Sequence, residues 1–447
     1  MEKQSEKKVK VGRYSMFIPN DNGEYIVYNG LTGTIIHVND EHYIMQIKAM
    51  LNNYADKAFD YDPNNEMHKC FKEHSVIVDE DVNEYELAVY SYEQRIVRDT
   101  SLTLILITSR QCNLRCVYCY EDHRNNHMSA SVYESLLLFI NDSLSKRTYS
   151  GVNISLFGGE PFIQFDEVIN FLQNAKKLCA DYGVPFIVGA TTNFALVTPT
   201  RFDELAKNNC VFYQVTLDGL AETHDKYRPK VNGSGSFAKI LENLKYAKQT
   251  CHNFNIVIRT NFNREIAAQA QEFYEFIKNE FNDERFAVHF EGIKELGGAN
   301  DGAIEILDAA NEADISAEIS KIVAALKIKN SAQEFFTQPF QGVCYASKHN
   351  TFVIDHDGTI RKCTVKLDDN QNDVGKLSAD GRLQLIHNKH SCWVCKQSKL
   401  TEKCQKCKIL PICFGGRCVV GQLDGERRDC MHEAKVKTLT NLLKYAV

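Results

Sequence analysis

The fold is decided by residues 102–120, which read LTLILITSRQCNLRCVYCY. The run from Leu102 to Ile107 is apolar apart from one threonine, which predicts a strand buried on both faces. Three cysteines follow within one loop, at the spacing C-x3-C-x2-C. Chemistry in parallel sheets lies just past the carboxyl ends of the strands, so this loop is the first candidate site.

Strand and helix patterns alternate from this loop to about residue 290. This alternation predicts a parallel sheet with helices outside it. Counted from Leu102, six βα units predict a partial (β/α)6 TIM barrel, not a closed eight-fold one. Beyond the first strand, strands are expected at 153–157, 186–190, 212–217, 255–260 and 286–290, and helices near 129–144, 166–182, 201–207, 237–250 and 265–279.

The flanking segments have different textures, which predict domains at 1–95, 96–300, 301–339 and 340–447. The first is an α/β unit with strands at Tyr14–Ile18, Tyr25–Tyr28 and Thr34–Val38, a helix from residue 39 or 40, and a second helix over about 81–97. In the connector, Asp314 is expected to cap a helix whose Ile315, Ile319, Ile322 and Leu326 form a core stripe. The last segment is loop-rich, with little apolar mass, so bound metal is expected to supply part of its stability.

Composition excludes several classes of protein. The 447 residues carry a net charge of −6, which excludes a generally basic protein that coats nucleic acid. No apolar run reaches the ~18 residues of a membrane span, and the polar N-terminus does not resemble a secretory signal. We therefore expect a cytoplasmic protein without nucleic-acid or membrane partners. In that reducing compartment, clustering among the 16 Cys indicates metal or catalysis, whereas the isolated Cys70, Cys179, Cys210 and Cys251 are expected in the core.

The loop Cys112-x3-Cys116-x2-Cys119 fits an iron–sulfur cluster. Three thiolates can each bind a different iron of a cubane, which leaves the fourth iron open to a reactant. A zinc site is an alternative, but zinc ribbons bring a second cysteine pair, and none is near this loop in sequence. Incidental cysteines are the remaining alternative.

These residues resemble the radical S-adenosylmethionine (SAM) enzymes, which share the cysteine spacing and the aromatic residue before the last cysteine. Other motifs occur in the family's order, namely Gly158-Gly159-Glu160-Pro161, Thr191-Thr-Asn193, Thr216-Leu-Asp218-Gly219, His224-Asp225 and Arg228. The resemblance implies that Glu160 contacts the SAM amino group, Asn193 lies near the ribose, Arg228 pairs with the carboxylate and Tyr118 lies against the adenine. It also implies that a 5′-deoxyadenosyl radical takes a hydrogen atom from the substrate.

The C-terminal cysteines resemble the SPASM extension, which binds two auxiliary [4Fe–4S] clusters, so three clusters are implied in all. By this resemblance Cys404, Cys407, Cys413 and Cys430 hold the distal cluster, and Cys344, Cys363 and Cys418 hold the proximal one. Four residues separate Cys413 from Cys418, whereas the family has three at this point. Either Cys392 or Cys395 closes the proximal cluster, or that cluster keeps an open iron for a substrate thiolate. A zinc site formed by these two with Cys404 and Cys407 is the alternative.

Residues 1–95 resemble the winged-helix-like domains that recognise leader peptides, with a structural cap as the alternative. We therefore predict a radical SAM/SPASM maturase of a ribosomally made precursor peptide, which forms a Cys thioether and is served by flavodoxin or ferredoxin. The alternatives are carbon–carbon or carbon–oxygen crosslinking, sulfatase maturation, an iron–sulfur redox or sensor protein, and a zinc-stabilised peptide-binding module. By residue type alone, Asp355, Asp357 and Glu291 are candidate proton acceptors.

Overall fold

The structure is a computed structural model. It describes residues 8–445 apart from 21, 55–56, 299–301, 303, 342, 396–399, 416–429 and 431. Among these described residues, no helix is both long and apolar enough to cross a membrane.

The N-terminal part contains two small antiparallel sheets, in the strand orders β5-β1-β6 and β2-β3-β4. Its strands are β1 (Lys8–Val11), β2 (Ser15–Pro19), β3 (Tyr25–Asn29), β4 (Thr34–Val38), β5 (Phe59–Asp60) and β6 (Ile77–Asp79), and its helices are α1 (Glu41–Tyr54), α2 (Glu66–Glu73) and α3 (Glu84–Tyr92). The three strands predicted here are confirmed to within one residue, and α1 begins just after Asp40, whose carboxylate accepts from the His42 amide (2.9 Å). The sequence did not reveal β1, α2, β5 or β6. The second predicted helix is shorter than expected, because Asn83 caps it and residues 93–97 continue as a π-helical turn.

The central part confirms the six predicted parallel strands, which lie in chain order from β7 to β12. They are β7 (Ser101–Ser109), β8 (Gly151–Gly158), β9 (Phe186–Thr192), β10 (Cys210–Thr216), β11 (Asn255–Phe262) and β12 (Phe286–Gly292). The helices are α4 (Ala130–Ser145), α5 (Phe165–Asp181), α6 (Pro199–Lys207), α7 (Ala221–Tyr227), α8 (Phe237–Gln249), α9 (Arg264–Ala267) and α10 (Ala270–Glu280). The single helix expected over 265–279 is divided into α9 and α10. The sequence did not predict α7. One large apolar core joins the strands to these helices.

Two further helices follow the barrel strands, α11 (Ala309–Ala325) and α12 (Ser331–Phe336). The predicted cap at Asp314 is wrong, because the helix begins earlier and Asp308 accepts from the Asn311 amide (2.8 Å). The predicted stripe is confirmed: Ile319 is buried, and the other three residues pack partly buried against the barrel core.

The C-terminal part extends the central sheet. Its strands are β13 (Thr351–Ile354), β14 (Thr359–Arg361), β15 (Gly375–Leu377) and β16 (Leu383–Leu385), and its helices are α13 (His387–Cys395), α14 (Glu402–Gln405), α15 (Leu410–Cys413) and α16 (His432–Lys444). Strand β13 pairs in parallel with β7, so this part is joined directly to the strand that precedes the thiol loop.

The β2-β3-β4 sheet packs against the cysteine-rich helices at the other end of the chain. Tyr28 of β3 is fully buried among Ile409, Ile412 and Leu443, and its hydroxyl donates to the Thr337 carbonyl (2.6 Å). The cysteine-rich part therefore takes much of its apolar support from the first 97 residues, in addition to any metal that it binds.

Candidate active site

The three thiols of the first motif lie at the carboxyl end of β7. Cys112 is buried, whereas Cys116 and Cys119 are half-buried. The loop is held by the end of α7 and the segment after it, since the amide of Arg115 donates to the Pro229 carbonyl (2.8 Å) and the amide of Val117 donates to the Tyr227 carbonyl (2.9 Å). These backbone bonds fix the loop without using a thiol.

Gly158 and Gly159 allow β8 to approach the thiol loop closely. The amide of Gly159 donates to the Ser109 carbonyl (3.0 Å), and that of Glu160 to the Gln111 carbonyl (2.9 Å). A Cβ at Gly158 would lie 2.2 Å from the Ser109 oxygen, and one at Gly159 would lie 2.6 Å from the Gln111 oxygen. Gly158 also has φ +119°, which L side chains rarely adopt. Both positions therefore require glycine.

Glu160 is fully buried and is held from three directions. Its Oε1 accepts from the Thr192 hydroxyl (2.7 Å) and the Phe162 amide (3.3 Å), and its Oε2 accepts from the Asn193 amide (2.8 Å). Burial raises the pKa of Glu160 to about 7, although these donors lower it. A cation such as an ammonium group would favour the ionised form.

Asn193 connects this carboxylate to the thiol loop. Its side-chain Nδ2 donates to Asn113 Oδ1 (2.7 Å) and lies 3.8 Å from Cys112 Sγ. Thr216 is buried at the end of β10, two residues before Asp218. The predicted residues after β8, β9 and β10 thus lie along one edge of the sheet, as parallel strands require.

The Tyr118 hydroxyl is the centre of a buried polar network. It donates to Asp218 Oδ2 and accepts from Arg228 Nη1 (2.6 Å) and Asn261 Nδ2 (3.1 Å). Asp218 is fully buried, and burial raises its pKa although Arg228 lowers it. Among the described residues, the buried Arg228 Nε has no hydrogen-bond partner.

His224 and Asp225 shape the segment that carries Arg228. The pKa of His224 lies well below its usual value because of burial and the nearby Arg228, so its ring is neutral. Its Nδ1 accepts from the Asp218 amide (3.2 Å), and its Nε2 donates to the Ser236 hydroxyl (3.0 Å). Asp225 accepts from the Ser236 amide (2.7 Å). Both residues thus position neighbouring backbone.

The residues present fit a cluster and SAM. Three thiols in one loop are the soft ligands that iron–sulfur clusters use. Burial raises the pKa of Cys119 to about 12, so a metal must displace a proton to bind there. The unpaired Arg228 Nε needs an acceptor, and a carboxylate oxygen would satisfy it. The glycine pair brings Glu160 close to the backbone of the thiol loop.

The distal set of cysteines is brought together by the structure. Cys413, Cys404 and Cys430 all act electrostatically on Cys407, whose pKa is raised first by burial. The sulfurs also have donors, since Thr401 Oγ1 lies 3.3 Å from Cys404 Sγ and Lys435 Nζ lies 3.2 Å from Cys413 Sγ. His432, which the sequence did not single out, lies with Nδ1 3.3 Å from Cys407 Sγ. Such donors stabilise thiolate and cluster sulfur.

The proximal set is described only in part. Cys344 and Cys363 both raise the pKa of Tyr345, which lies beside them, after the larger effect of burial. Cys392 is exposed on α13. The side chain of Cys395 and the whole of Cys418 lie outside the described residues. Which cysteine completes this set therefore stays a prediction.

The isolated cysteines divide into two groups. Cys179 and Cys210 are fully buried, as predicted. Cys70 is only half-buried, and the prediction for Cys251 is wrong because it is exposed just after α8. Short loops between elements leave such a residue at the surface even when it is apolar.

A buried ion-pair network behind the thiol loop was missed. Arg110 Nη2 lies 2.5 Å from Asp355 Oδ2, and Arg361 Nη2 lies 3.1 Å from the same oxygen. Burial raises the pKa of Asp355, but His356 and both guanidiniums hold it well below its usual range. Asp355 is therefore held as a carboxylate by two guanidiniums, and its role as a proton acceptor stays a prediction. Asn261 was also missed, although its place at the end of β11 was the available signal.

The chain is similar in sequence to known proteins. The radical SAM superfamily model matches residues 106–277. The cysteine-type anaerobic sulfatase-maturating enzyme of Clostridium novyi is 28% identical over 187 residues, which are 40% of this chain and 48% of that enzyme. The serine-type enzyme of Bacteroides thetaiotaomicron is 23% identical over 337 residues, which are 68% of this chain and 79% of that enzyme. The chain thus spans about half the length of the first relative.

Solved structures share the fold. The structure of anSMEcpe with bound AdoMet and Cp18Cys peptide has a TM-score of 0.59 at 19% identity, over 77% of this chain and 96% of that chain. Streptococcus suis SuiB bound to precursor peptide SuiA has a TM-score of 0.53 at 17% identity, over 95% of this chain and 100% of that chain. These likenesses show that the fold is shared, and the matched family model identifies residues 106–277 as a radical SAM domain.

Proposed function

We propose that this chain is a radical SAM oxidoreductase that modifies a ribosomally made precursor peptide. The observation that carries the proposal is the convergence of Cys112, Cys116 and Cys119 with Glu160 and Arg228 at one edge of the parallel sheet. An electron carrier or sensor protein would need the thiols but not the buried carboxylate and guanidinium beside them. A zinc-stabilised module would need neither the glycine pair nor the buried carboxylate.

The proposed roles follow the geometry. The three thiols of the β7 loop would hold a [4Fe–4S] cluster, which with SAM supplies a carbon radical that takes a hydrogen atom from the substrate. Residues that would bind SAM are Tyr118, Gly158, Gly159, Glu160, Asn193, Thr216, Asp218 and Arg228. Glu160 would accept hydrogen bonds from an ammonium group, and Arg228 Nε would donate a hydrogen bond to a carboxylate. The neutral His224 keeps the Arg228 segment in place without adding charge.

We further propose two auxiliary [4Fe–4S] clusters. The distal one would use Cys404, Cys407, Cys413 and Cys430, and the proximal one Cys344, Cys363 and Cys418, with Cys392 or Cys395 as the further candidates. The donors at Cys404 and Cys413 support the distal assignment. Flavodoxin or ferredoxin would supply electrons in the cytoplasm.

A peptide substrate is supported by the N-terminal sheet. Among the described residues, β4 pairs with β3 alone, so its outer edge can accept an added strand. The likeness to SuiB covers 95% of this chain, whereas that to anSMEcpe covers 77%. The proposed division is a leader-recognition domain at 1–95, the radical SAM barrel at 96–300, a connector at 301–339 and the auxiliary-cluster domain at 340–447.

The product that we propose is a Cys thioether. Cys392, one of the two candidates to close the proximal cluster, is exposed on α13. A proximal cluster with an open iron could hold a substrate thiolate next to the carbon that it attacks. Carbon–carbon or carbon–oxygen crosslinking would not need that open position.

Sulfatase maturation is the second candidate function, and the curated relatives favour it. Both relatives described above carry that activity in their names. This function would leave the open edge of β4 without an assigned role.

Mass spectrometry of the short peptide encoded beside the gene, co-expressed with the enzyme, tests the proposal. A loss of about 2 Da for each site together with loss of alkylatable cysteine would establish a thioether. The same mass loss with every thiol still reactive would indicate carbon–carbon or carbon–oxygen crosslinks. An unchanged peptide beside a cluster-loaded enzyme would contradict peptide crosslinking.

A further inference from the structure

One face of β11 and β12 carries a polar cluster that no assigned role uses. Along β11 the buried residues Ile256, Ile258 and Phe262 alternate with half-buried ones, among them Arg259 and Asn261. The two strands are parallel, and their register sets Arg259 beside His289 and Asn261 beside Glu291. These four side chains share the half-buried face, on which Asn261 also reaches the Tyr118 hydroxyl.

The guanidinium of Arg259 is fixed on two of its three nitrogens. Its Nε donates to Asn261 Oδ1 (2.9 Å), and its Nη2 donates to Glu291 Oε2 (3.0 Å). Within the part of the chain that the structure describes, no hydrogen bond involves Nη1. The side chain is 27% exposed, so a ligand can reach that nitrogen. A planar guanidinium that is held at two nitrogens presents the third nitrogen in a defined direction, which lowers the entropic cost of binding a ligand.

The charges around this nitrogen favour a neutral acceptor. Glu291 is bonded to Lys294 on its other oxygen, and Lys294 also lies 3.7 Å from Glu312 Oε1. Although burial raises the pKa of Glu291, His289, Lys294 and Arg259 hold it well below its usual range. Two cations therefore face two carboxylates, and the formal charges cancel when His289 is neutral. A carboxylate ligand would meet no excess of positive charge here, whereas a carbonyl needs only the donor.

The polar cluster of β11 and β12 is connected to the candidate SAM site. Asn261 accepts from Arg259 through Oδ1 and donates to the Tyr118 hydroxyl through Nδ2 (3.1 Å). Its backbone amide also donates to Asp218 Oδ1 (2.7 Å). A group bound at Arg259 would therefore lie one side chain away from the residues assigned to SAM, where a reacting segment of substrate must be.

We propose that Arg259 anchors a backbone carbonyl of the substrate peptide through Nη1, with Glu291 and Asn261 as the positioning residues. The inference rests on the proposed function, because it takes a peptide to be the substrate. It is separate from the leader site on β4, since it contacts the segment that reacts.

The test measures peptide binding by the cluster-loaded enzyme in the presence of SAM. The probe is a fluorescently labelled synthetic copy of the short peptide encoded beside the gene, and a second set of probes replaces one backbone amide at a time by an ester. Arg259→Gln removes the anchor and keeps much of the side-chain volume. Arg264→Gln is the matched control, since this arginine is 55% exposed and pairs with Glu305, outside the polar cluster of β11 and β12.

We expect Arg259→Gln to weaken peptide binding about tenfold or more, as for loss of a hydrogen bond to a charged group. Arg264→Gln is expected to leave binding within twofold, and both variants should keep SAM affinity and iron content. In the parent, one ester probe should bind more weakly, because an ester carbonyl is a poorer acceptor. Arg259→Gln should no longer distinguish that probe from the parent peptide.

Three results would overturn the inference. Peptide affinity within twofold of the parent would show that Arg259 does not contact substrate. An equal loss of SAM affinity would show that it supports the SAM site instead. The Arg259→Gln variant could also bind the peptide more weakly and still discriminate against the same ester probe as the parent enzyme does. That result would exclude a carbonyl anchor. Failure of the unaltered enzyme to bind any of these peptides would instead refute the proposed function, and the anchor with it.

Discussion

Removing the Asp355 carboxylate should destabilise the protein severely. Asp355 is 1% exposed and Arg110 is 3% exposed. Asp355→Asn keeps the shape but leaves the buried guanidiniums of Arg110 and Arg361 with only the more exposed carboxylates of Asp368 (3.3 Å) and Asp373 (3.4 Å) as counter-charges. Removal of one partner from a buried ion pair costs about 3–5 kcal/mol. We expect a loss of that size in the free energy of unfolding at neutral pH.

A matched control separates burial from mere loss of charge. Asp142→Asn breaks the ion pair with Lys146, whose side chain is 65% exposed while that of Asp142 is 56% exposed. Exposed helical pairs contribute about 0.3–0.5 kcal/mol, so this variant should unfold almost as the parent does.

The assay is urea unfolding of the cluster-loaded variants under anaerobic conditions at pH 7.5. The pKa of Asp355 is held below its usual range, so the stability that it provides is present above about pH 4 and is lost as the pH falls further. Arg110→Gln in the Asp355→Asn background should cost little more, because the pair is already broken. A change below 1 kcal/mol for Asp355→Asn would refute the reasoning.

Three other predictions concern the site itself. Cys119→Ala should lower iron content by about four atoms per chain, whereas the control Cys251→Ala should leave it unchanged; equal iron in both would exclude the assigned cluster. Burial raises the pKa of Glu160 to about 7, so the stability of the cluster-free protein should fall by about 3 kcal/mol as the pH rises from about 5 to about 8. Glu160→Gln should remove that component and weaken SAM binding, and an unchanged pH profile would contradict the assignment. Tyr118→Phe should weaken SAM binding by up to about tenfold at unchanged iron content, because Asp218 and Arg228 lose their shared hydroxyl partner; undiminished affinity would show that this hydroxyl does not support the SAM site.

Local patterns were sufficient to predict the barrel. The apolar run of β7 and the thiol loop after it were visible in sequence because strand, turn and ligand spacing all lie within 19 residues. The residues after β8, β9 and β10 could be picked out for the same reason, since parallel strands bring their carboxyl ends to one edge.

Long-range packing could not be predicted in this way. The contact of Tyr28 with Ile412 joins residues almost 400 positions apart, and the addition of β13 to β7 joins residues about 250 apart. Neither leaves a periodic signal, because each depends on the complementary shape of a distant surface. The cap of α11 failed for a different reason: Asp308 and Asp314 are equally good caps by type, and only the structure distinguishes them.

Transfer of deuterium tests the central claim most directly. The short peptide encoded beside the gene would be made with deuterium on its carbon-bound positions and incubated anaerobically with the cluster-loaded enzyme, SAM and a reductant. The account predicts 5′-deoxyadenosine that carries one deuterium, about 1 Da heavier than the unlabelled compound, together with a modified peptide. Unlabelled 5′-deoxyadenosine beside an unaltered peptide would contradict it.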